Sequence, residues 1–89
     1  MKEKIALIIN HYGINHQQRK LNEEVFELQE SIFDYENITL MDKKHIIEEL
    51  ADVMVLLEQI KIYYNLEDED IKSAMEYKIN RTLERMKDK

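Results

Sequence analysis

Residues 46–57 read Ile-Ile-Glu-Glu-Leu-Ala-Asp-Val-Met-Val-Leu-Leu, and this stretch decides the fold. Its apolar side chains recur at spacings of three and four residues, which is the period of an α-helix. They cover more of the helix circumference than a simple surface helix would. We therefore predict a central helix that begins after a cap at Asp42 and carries apolar side chains at Ile46, Ile47, Leu50, Val53, Met54, Leu57, Ile60 and Tyr64.

Two amphipathic segments precede this central helix. The first is predicted over Lys2–Tyr12, with Gly13 as a left-handed C-terminal cap. The second is expected to start at Asn15, whose side chain would cap it together with Gln18 in a reciprocal capping box. Its period is interrupted at residues 36–39, and its apolar stripe is Leu21, Val25, Leu28, Ile32 and Tyr35.

A fourth helix is predicted from the acidic run at residues 67–70 to about Met86, because carboxylates near a helix N-terminus are favoured by the helix dipole. Helices of about 20 residues are about 30 Å long, so the compact arrangement is side-by-side antiparallel packing. The expected fold class is all-α. We predict one helical domain over residues 1–89, an antiparallel bundle of about four helices.

The composition supports this fold class and indicates self-association. A chain with one glycine and no proline has few of the turn residues that all-β folds need. With only 89 residues and no cysteine, the chain has a small core and no disulfide or thiolate zinc site to stabilise it. Oligomerisation is the remaining source of stability, so we expect a homodimer or homotetramer.

The charge of the chain bears on its partners. A formal net charge of -6 disfavours nucleic acid as a partner, because binding to phosphate backbones depends on lysine and arginine. No run approaches the ~18 apolar residues of a membrane span, and the N-terminus lacks the apolar stretch of a secretory signal. We therefore expect no membrane association and a cytoplasmic location.

Two acidic blocks carry the candidate chemistry. Glu24 and Glu27 in the second helix, and Glu49 and Asp52 in the third, are pairs three residues apart. Each pair projects from one side of its helix, so antiparallel packing would bring four carboxylates together. Clustered carboxylates are the oxygen ligands that magnesium shares with substrate phosphates. The sequence therefore predicts a magnesium site, with manganese as the alternative ion.

Asp52 is the most informative of these residues, since it is the only charged residue in 50–57. Taken alone, it is better explained by a narrow solvent-facing strip on the third helix. The second-helix glutamates have a similar alternative, a solvated helix face. The presence of two such acidic pairs in one chain favours a metal site instead.

A basic stripe on the fourth helix complements the acidic blocks. Lys78, Arg81 and Arg85 recur at spacings of three and four beside the apolar positions. Cations near a helix C-terminus are ordinary compensation of the dipole, which is the alternative explanation. Beside a metal site they become candidate phosphate ligands, because arginine presents a planar fork of donors to phosphate oxygens.

Other catalytic motifs are absent from the sequence. His11, His16 and His45 have no metal-binding spacing such as HExxH, so zinc and haem sites are unsupported. The sequence contains no GxxxxGK[ST], GxGxxG or GxSxG motif, which excludes P-loop, dinucleotide-binding and serine-hydrolase sites. Catalysis by this chain would be metal-assisted.

The order of the two acidic blocks resembles the MazG-like all-α nucleoside triphosphate pyrophosphohydrolases, whose signature is EExxE followed by ExxD. The matching stretches are Lys20–Leu28 and Glu48–Val53, and 21 residues separate Glu27 from Glu49. The resemblance extends over roughly residues 13–85 and includes the looser basic segment at 77–81. It implies hydrolysis of a nucleoside triphosphate to the monophosphate and pyrophosphate by a homodimer or homotetramer.

The resemblance also implies roles for individual residues. The magnesium ligands would be Glu24, Glu27, Glu49 and Asp52. Glu23 would orient or deprotonate the attacking water or add a metal contact, so Glu23 and Glu24 are the expected catalytic residues. Contacts to the substrate phosphates would come from Lys20, Lys78, Arg81 and Arg85.

Two other functions stay open at this point. Phosphoribosyl-ATP pyrophosphohydrolase shares the paired glutamates, but it usually has Asp-Leu-Tyr-His where this chain has Asp52 followed by Val-Met-Val. A non-catalytic helical interaction module is the alternative from another class, in which the acidic residues are only solvated. Neither the preferred base nor the sugar follows from the sequence.

Overall fold

A computed structural model describes residues 1–38 and 42–88 as four α-helices, with no strand in those ranges. The helices are α1 (Lys2–Tyr12), α2 (Ile14–Asn37), α3 (Lys44–Tyr63) and α4 (Asp68–Met86). This confirms the prediction of an all-α chain with four helices. Thr39, at the end of the interruption predicted after the second helix, lies outside the described residues.

The junction between α1 and α2 is one residue long. Gly13 has φ 83° and ψ 162°, a region open to glycine, and its backbone N–H donates to the carbonyl of Ile9 at 2.8 Å. α2 therefore starts at Ile14 without a side-chain cap, and the predicted capping box of Asn15 and Gln18 is wrong. Asn15 lies within the first turn because the glycine lets the chain re-enter a helix at once.

The other two junctions follow the sequence more closely. The N-cap position of α3 is Lys43, one residue after the predicted cap at Asp42, but the Asp42 carboxylate still accepts a hydrogen bond from the backbone N–H of Lys44 at 3.0 Å. After α3, Asn65 has φ 55°, and Leu66 N–H donates to the carbonyl of Lys61 at 2.9 Å. The chain then enters α4 through its acidic first turn, as predicted.

α2 and α3 form the main helix pair, and α1 packs against both. The pair is antiparallel, since residues near the start of α2 contact residues near the end of α3. The apolar core among the described residues is small: its buried members are Ile9, Val53 and Leu56.

α4 packs against none of the other three helices. Its residues are exposed apart from Ile71, which is half-buried. The radius of gyration is 16.3 Å, compared with about 12 Å expected of a compact chain of this length. The antiparallel packing expected for all four helices therefore holds for α2 and α3, whereas α4 packs against none of the other helices.

Many large apolar side chains remain exposed on this single chain. On α3 the exposed stripe consists of Ile47, Leu50, Met54 and Leu57. The predicted self-association would cover such surfaces. In the part of the chain that the structure describes, no helix has the length and apolar character needed to cross a membrane.

Candidate metal centre

Three carboxylates from α2 and α3 meet at one point. Glu24, Glu49 and Asp52 each contribute an oxygen, and these oxygens lie within 4.8 Å of one another. Glu49 and Asp52 share a side of α3 because they are three residues apart, and antiparallel packing brings Glu24 of α2 opposite them. Asp52 is exposed, so it lies at the solvent edge of the cluster. The structure thus brings three of the four predicted metal ligands together.

Two oxygens of this cluster lack a hydrogen-bond partner among the described residues. They are Oε2 of Glu24 and Oε2 of Glu49, and both atoms are buried. Glu24 as a whole is only 6% exposed. A buried carboxylate oxygen without a donor is costly unless a cation or a proton compensates it. The donor set is therefore suited to a hard divalent cation such as magnesium.

The electrostatics of Glu49 reflect the same lack of compensation. Burial raises the pKa of Glu49 above its ordinary value, and the negative charges of Glu27, Asp52 and Glu24 raise this pKa further. Glu27 is outside the group whose oxygens come within 4.8 Å, but its charge acts on Glu49. The fourth predicted ligand is therefore adjacent to the cluster.

Lys20 partly neutralises the cluster from within α2. Its Nζ lies 3.2 Å from Oε1 of Glu24 and 3.9 Å from Oε2 of Glu23. The hydrogen bond to Glu24 and its negative charge raise the pKa of Lys20 above its ordinary value. The predicted phosphate ligand thus lies between the two expected catalytic residues, with its ammonium at the edge of the cluster.

A buried pair of glutamines also joins α2 to α3. Gln17 Nε2 donates to Gln59 Oε1 at 2.9 Å, and both side chains are buried. Oε1 of Gln17 is 2.7 Å from Nδ1 of His16. Glutamines are usually exposed, so a buried pair of them is not expected from residue type. The only available signal was their position on the apolar sides of α2 and α3.

A cleft of about 430 Å³ lies near the junction of α1 and α2, open to solvent, and one of its lining residues is Lys20, the ion-pair partner of Glu24. The rings of Tyr12 and His16 stack there with centroids 4.9 Å apart and an interplanar angle of 19°. Lys20 and Glu23 line the same cleft, which connects it to the carboxylates. The other lining residues are Gln17 and Arg19.

The basic residues predicted on the fourth helix do not lie beside the carboxylate cluster of the same chain. Lys78, Arg81 and Arg85 are exposed on α4, which packs against neither α2 nor α3 and touches α3 through the ion pair of Asp68 with Lys61. None of the three has an ion-pair partner within residues 1–38 and 42–88; Arg81 lies over the ring of Tyr77, 5.8 Å from its centroid. A single chain therefore does not bring these cations to the carboxylates.

The fold and the site together define an all-helical protein with a carboxylate cluster suited to a divalent cation. No protein-family model, curated protein or solved structure matches the chain.

Proposed function

We propose that this chain is a magnesium-dependent nucleoside triphosphate pyrophosphohydrolase, with manganese as the alternative ion. The observation that carries the proposal is the convergence of Glu24, Glu49 and Asp52, two of which hold buried oxygens without partners. A divalent cation would compensate such a cluster, and magnesium bound by carboxylates commonly shares its coordination with phosphates. The order of the acidic blocks, which resembles that of MazG-like enzymes, favours the same activity.

Each side chain would have a distinct role. Glu24, Glu49 and Asp52 would hold magnesium, with Glu27 completing the negative surroundings. When bound, the ion would lower the pKa of a coordinated water and neutralise charge on the phosphates. Glu23, which is exposed and 3.9 Å from the ammonium of Lys20, would accept the proton of the attacking water. Hydrolysis then adds one water across the linkage between the α- and β-phosphates and releases the monophosphate and pyrophosphate.

The adjoining cleft supports a nucleotide, as opposed to inorganic polyphosphate, as the substrate. Tyr12 and His16 offer a stacked aromatic surface on which a base can lie. Lys20 stands between this surface and the carboxylates, where its ammonium can contact the phosphates. The base would thus occupy the cleft while the phosphates reach the metal ligands.

The test is product analysis by ³¹P NMR with a panel of canonical and modified nucleoside triphosphates in magnesium. We expect the monophosphate and pyrophosphate from at least one of them, and incorporation of ¹⁸O from labelled water identifies the phosphorus attacked. Asp52→Asn is the matched control and should be inactive. Release of the diphosphate and phosphate, or equal turnover by Asp52→Asn, would contradict the proposal.

The same measurements separate the two alternatives. Phosphoribosyl-ATP belongs in the panel, and its exclusive hydrolysis would assign the biosynthetic activity. An interaction module would show no magnesium response, whereas a ligand that binds only the native state raises its stability. Thermal unfolding with magnesium and a nonhydrolysable nucleotide therefore distinguishes an enzyme from a module.

A further inference from the structure

The buried glutamine pair is hydrogen-bonded at one end to an exposed histidine. Gln17 Nε2 donates to Gln59 Oε1 at 2.9 Å, which fixes the orientation of the Gln17 amide. The oxygen of that amide, Oε1, is 2.7 Å from Nδ1 of His16. An amide oxygen only accepts hydrogen bonds, so the proton between these two atoms belongs to Nδ1. The glutamine pair thereby determines which ring nitrogen of His16 carries the proton.

The burial of both glutamines makes this constraint strong. Gln17 is 5% exposed and Gln59 is 2% exposed, so water does not readily replace a hydrogen bond that either amide loses. Turning the Gln17 amide over would place its oxygen against the oxygen of Gln59 and its amino group against the N–H of His16. Neutral His16 is therefore held as the Nδ1–H tautomer, and its Nε2 keeps a free lone pair.

Nε2 is the polar edge that His16 presents outside the helix pair. The two nitrogens of an imidazole point to different sides of the ring, so Nε2 turns away from the buried amides. His16 is exposed and lines the cleft, and one face of its ring is stacked on Tyr12. The cleft therefore contains an uncharged hydrogen-bond acceptor beside the aromatic surface.

The position of His16 along α2 indicates which part of a nucleotide it would meet. His16, Lys20 and Glu24 are four residues apart, so they follow one another along one side of α2 at intervals of about 6 Å. The sugar of a nucleotide lies between its base and its phosphates. A nucleotide with its phosphates near Lys20 and its base on the stacked rings therefore has its sugar at the edge of His16.

We propose that His16 determines specificity for the sugar: its Nε2 accepts a hydrogen bond from a sugar hydroxyl, and the glutamine pair keeps Nε2 unprotonated for that contact. A base that lies on the face of a ring cannot also reach a nitrogen lone pair in the plane of that ring. The sugar stands across the plane of the base, so its hydroxyls can approach the edge of the ring. This role toward the sugar rests on the proposed function, whereas the fixed tautomer of His16 does not.

The tautomer is tested by long-range ¹H–¹⁵N correlation spectra of the full-length protein at about pH 8, where an ordinary imidazole is neutral. We expect the proton of His16 on Nδ1, and His16→Phe assigns its signals. In Gln17→Leu/Gln59→Leu, His16 should lose this preference and resemble His45, whose ring has no hydrogen bond among the described residues. Gln29→Leu, at an exposed position of α2, is the matched control and should keep the Nδ1–H tautomer. An Nε2–H tautomer in the wild type, or an unchanged spectrum in the double variant, would overturn the control of His16 by the glutamines.

The contact with the sugar is tested by calorimetry with nonhydrolysable α,β-imido nucleoside triphosphates in magnesium. The ribose, 2′-deoxy and 2′,3′-dideoxy forms are compared on the base that the hydrolysis panel selects, or on adenine if it selects none. His16→Phe keeps an aromatic ring but removes the acceptor, so it should weaken binding of the forms that carry the contacted hydroxyl by about two- to tenfold. Binding of the dideoxy form should stay unchanged.

Equal losses for all three forms, or no loss for any of them, would overturn the role of His16 in sugar recognition even if the protein hydrolyses nucleotides. Absence of nucleotide binding by the wild type would overturn both this role and the proposed function. The spectra of His16 are recorded without nucleotide, so they decide the fixed tautomer separately from either result.

Discussion

Gln17 of α2 and Gln59 of α3 form a buried hydrogen bond of 2.9 Å, and this pair lies in register with the carboxylate cluster. About two turns further along α2 is Glu24, and about two turns back along α3 is Asp52. In an antiparallel helix pair, Glu24 and Asp52 therefore face each other. The register of α2 against α3 that the glutamine hydrogen bond requires is the same register that brings these two carboxylates together. The stability of the helix pair and the assembly of the site are therefore linked.

Replacement of one glutamine should destabilise the protein more than replacement of both. Gln59→Leu leaves the amide of Gln17 buried without its acceptor, which should cost about 1–3 kcal/mol. The double variant Gln17→Leu/Gln59→Leu removes both polar groups and should recover part of that loss. Urea unfolding of the four proteins in this cycle measures the coupling. Gln29→Leu, at an exposed position of α2, should change stability by no more than about 0.5 kcal/mol.

Neutralising a member of the carboxylate cluster should stabilise the metal-free protein and weaken its binding of magnesium. Glu49→Gln removes a charge from a crowded, partly buried site, so we expect a higher melting temperature without metal and a smaller rise on adding magnesium. Glu48→Gln, the exposed neighbour, should leave both quantities unchanged. Thermal scans with and without magnesium provide the comparison. An unaltered magnesium response in Glu49→Gln would argue against the metal site.

Asp52→Asn should abolish turnover while preserving the helical fold. It keeps the size of the side chain but removes a ligand charge, and losses around metal sites reach about 100-fold even for supporting residues. We therefore expect at least that decrease in kcat/KM, with unchanged far-UV circular dichroism. Near-normal turnover at limiting magnesium would show that Asp52 is not a ligand.

The stability of the metal-free protein should depend on pH through Glu49. Because its pKa is raised on folding, the folded state binds the proton more tightly than the unfolded state does. The stability that this tighter proton binding contributes is fully present below the ordinary glutamate pKa of 4.5. It is lost as pH rises through the raised pKa of Glu49. The stability advantage of Glu49→Gln over the wild type should therefore shrink on acidification from neutral pH. Parallel unfolding curves across this range test the sign.

Removal of the aromatic ring from the cleft should weaken nucleotide binding. Tyr12→Ala eliminates one face of the stacked pair, and base stacking on aromatic side chains is worth about 1–3 kcal/mol. We expect KM to rise by about tenfold or more with little change in kcat. Tyr64→Ala, an exposed tyrosine outside the cleft lining, is the control. Equal kinetics for both variants would exclude Tyr12 from base binding.

The sequence by itself determined the four helices and the spacing of their acidic residues, because both depend on local periodicity. The apolar repeats of α2 and α3 and the acidic first turn of α4 are each recognisable within a few residues. The prediction of a cap at Asn15 was wrong. Gly13 adopts a backbone conformation that lets α2 start at Ile14, so Asn15 lies inside the helix. Helix boundaries of this kind depend on a single backbone conformation that propensity does not specify.

Only the tertiary structure decided which of the spaced residues meet. Glu24, Glu49 and Asp52 converge, while Glu27 stays at the edge and the cations of α4 lie apart from them. These outcomes depend on the register of α2 against α3, which the buried glutamine pair helps to fix, and on the direction in which α4 leaves α3. The register and the direction of α4 are each set by contacts between different helices. Helical periodicity specifies which residues share a side of one helix, but it does not specify which helix packs against that side.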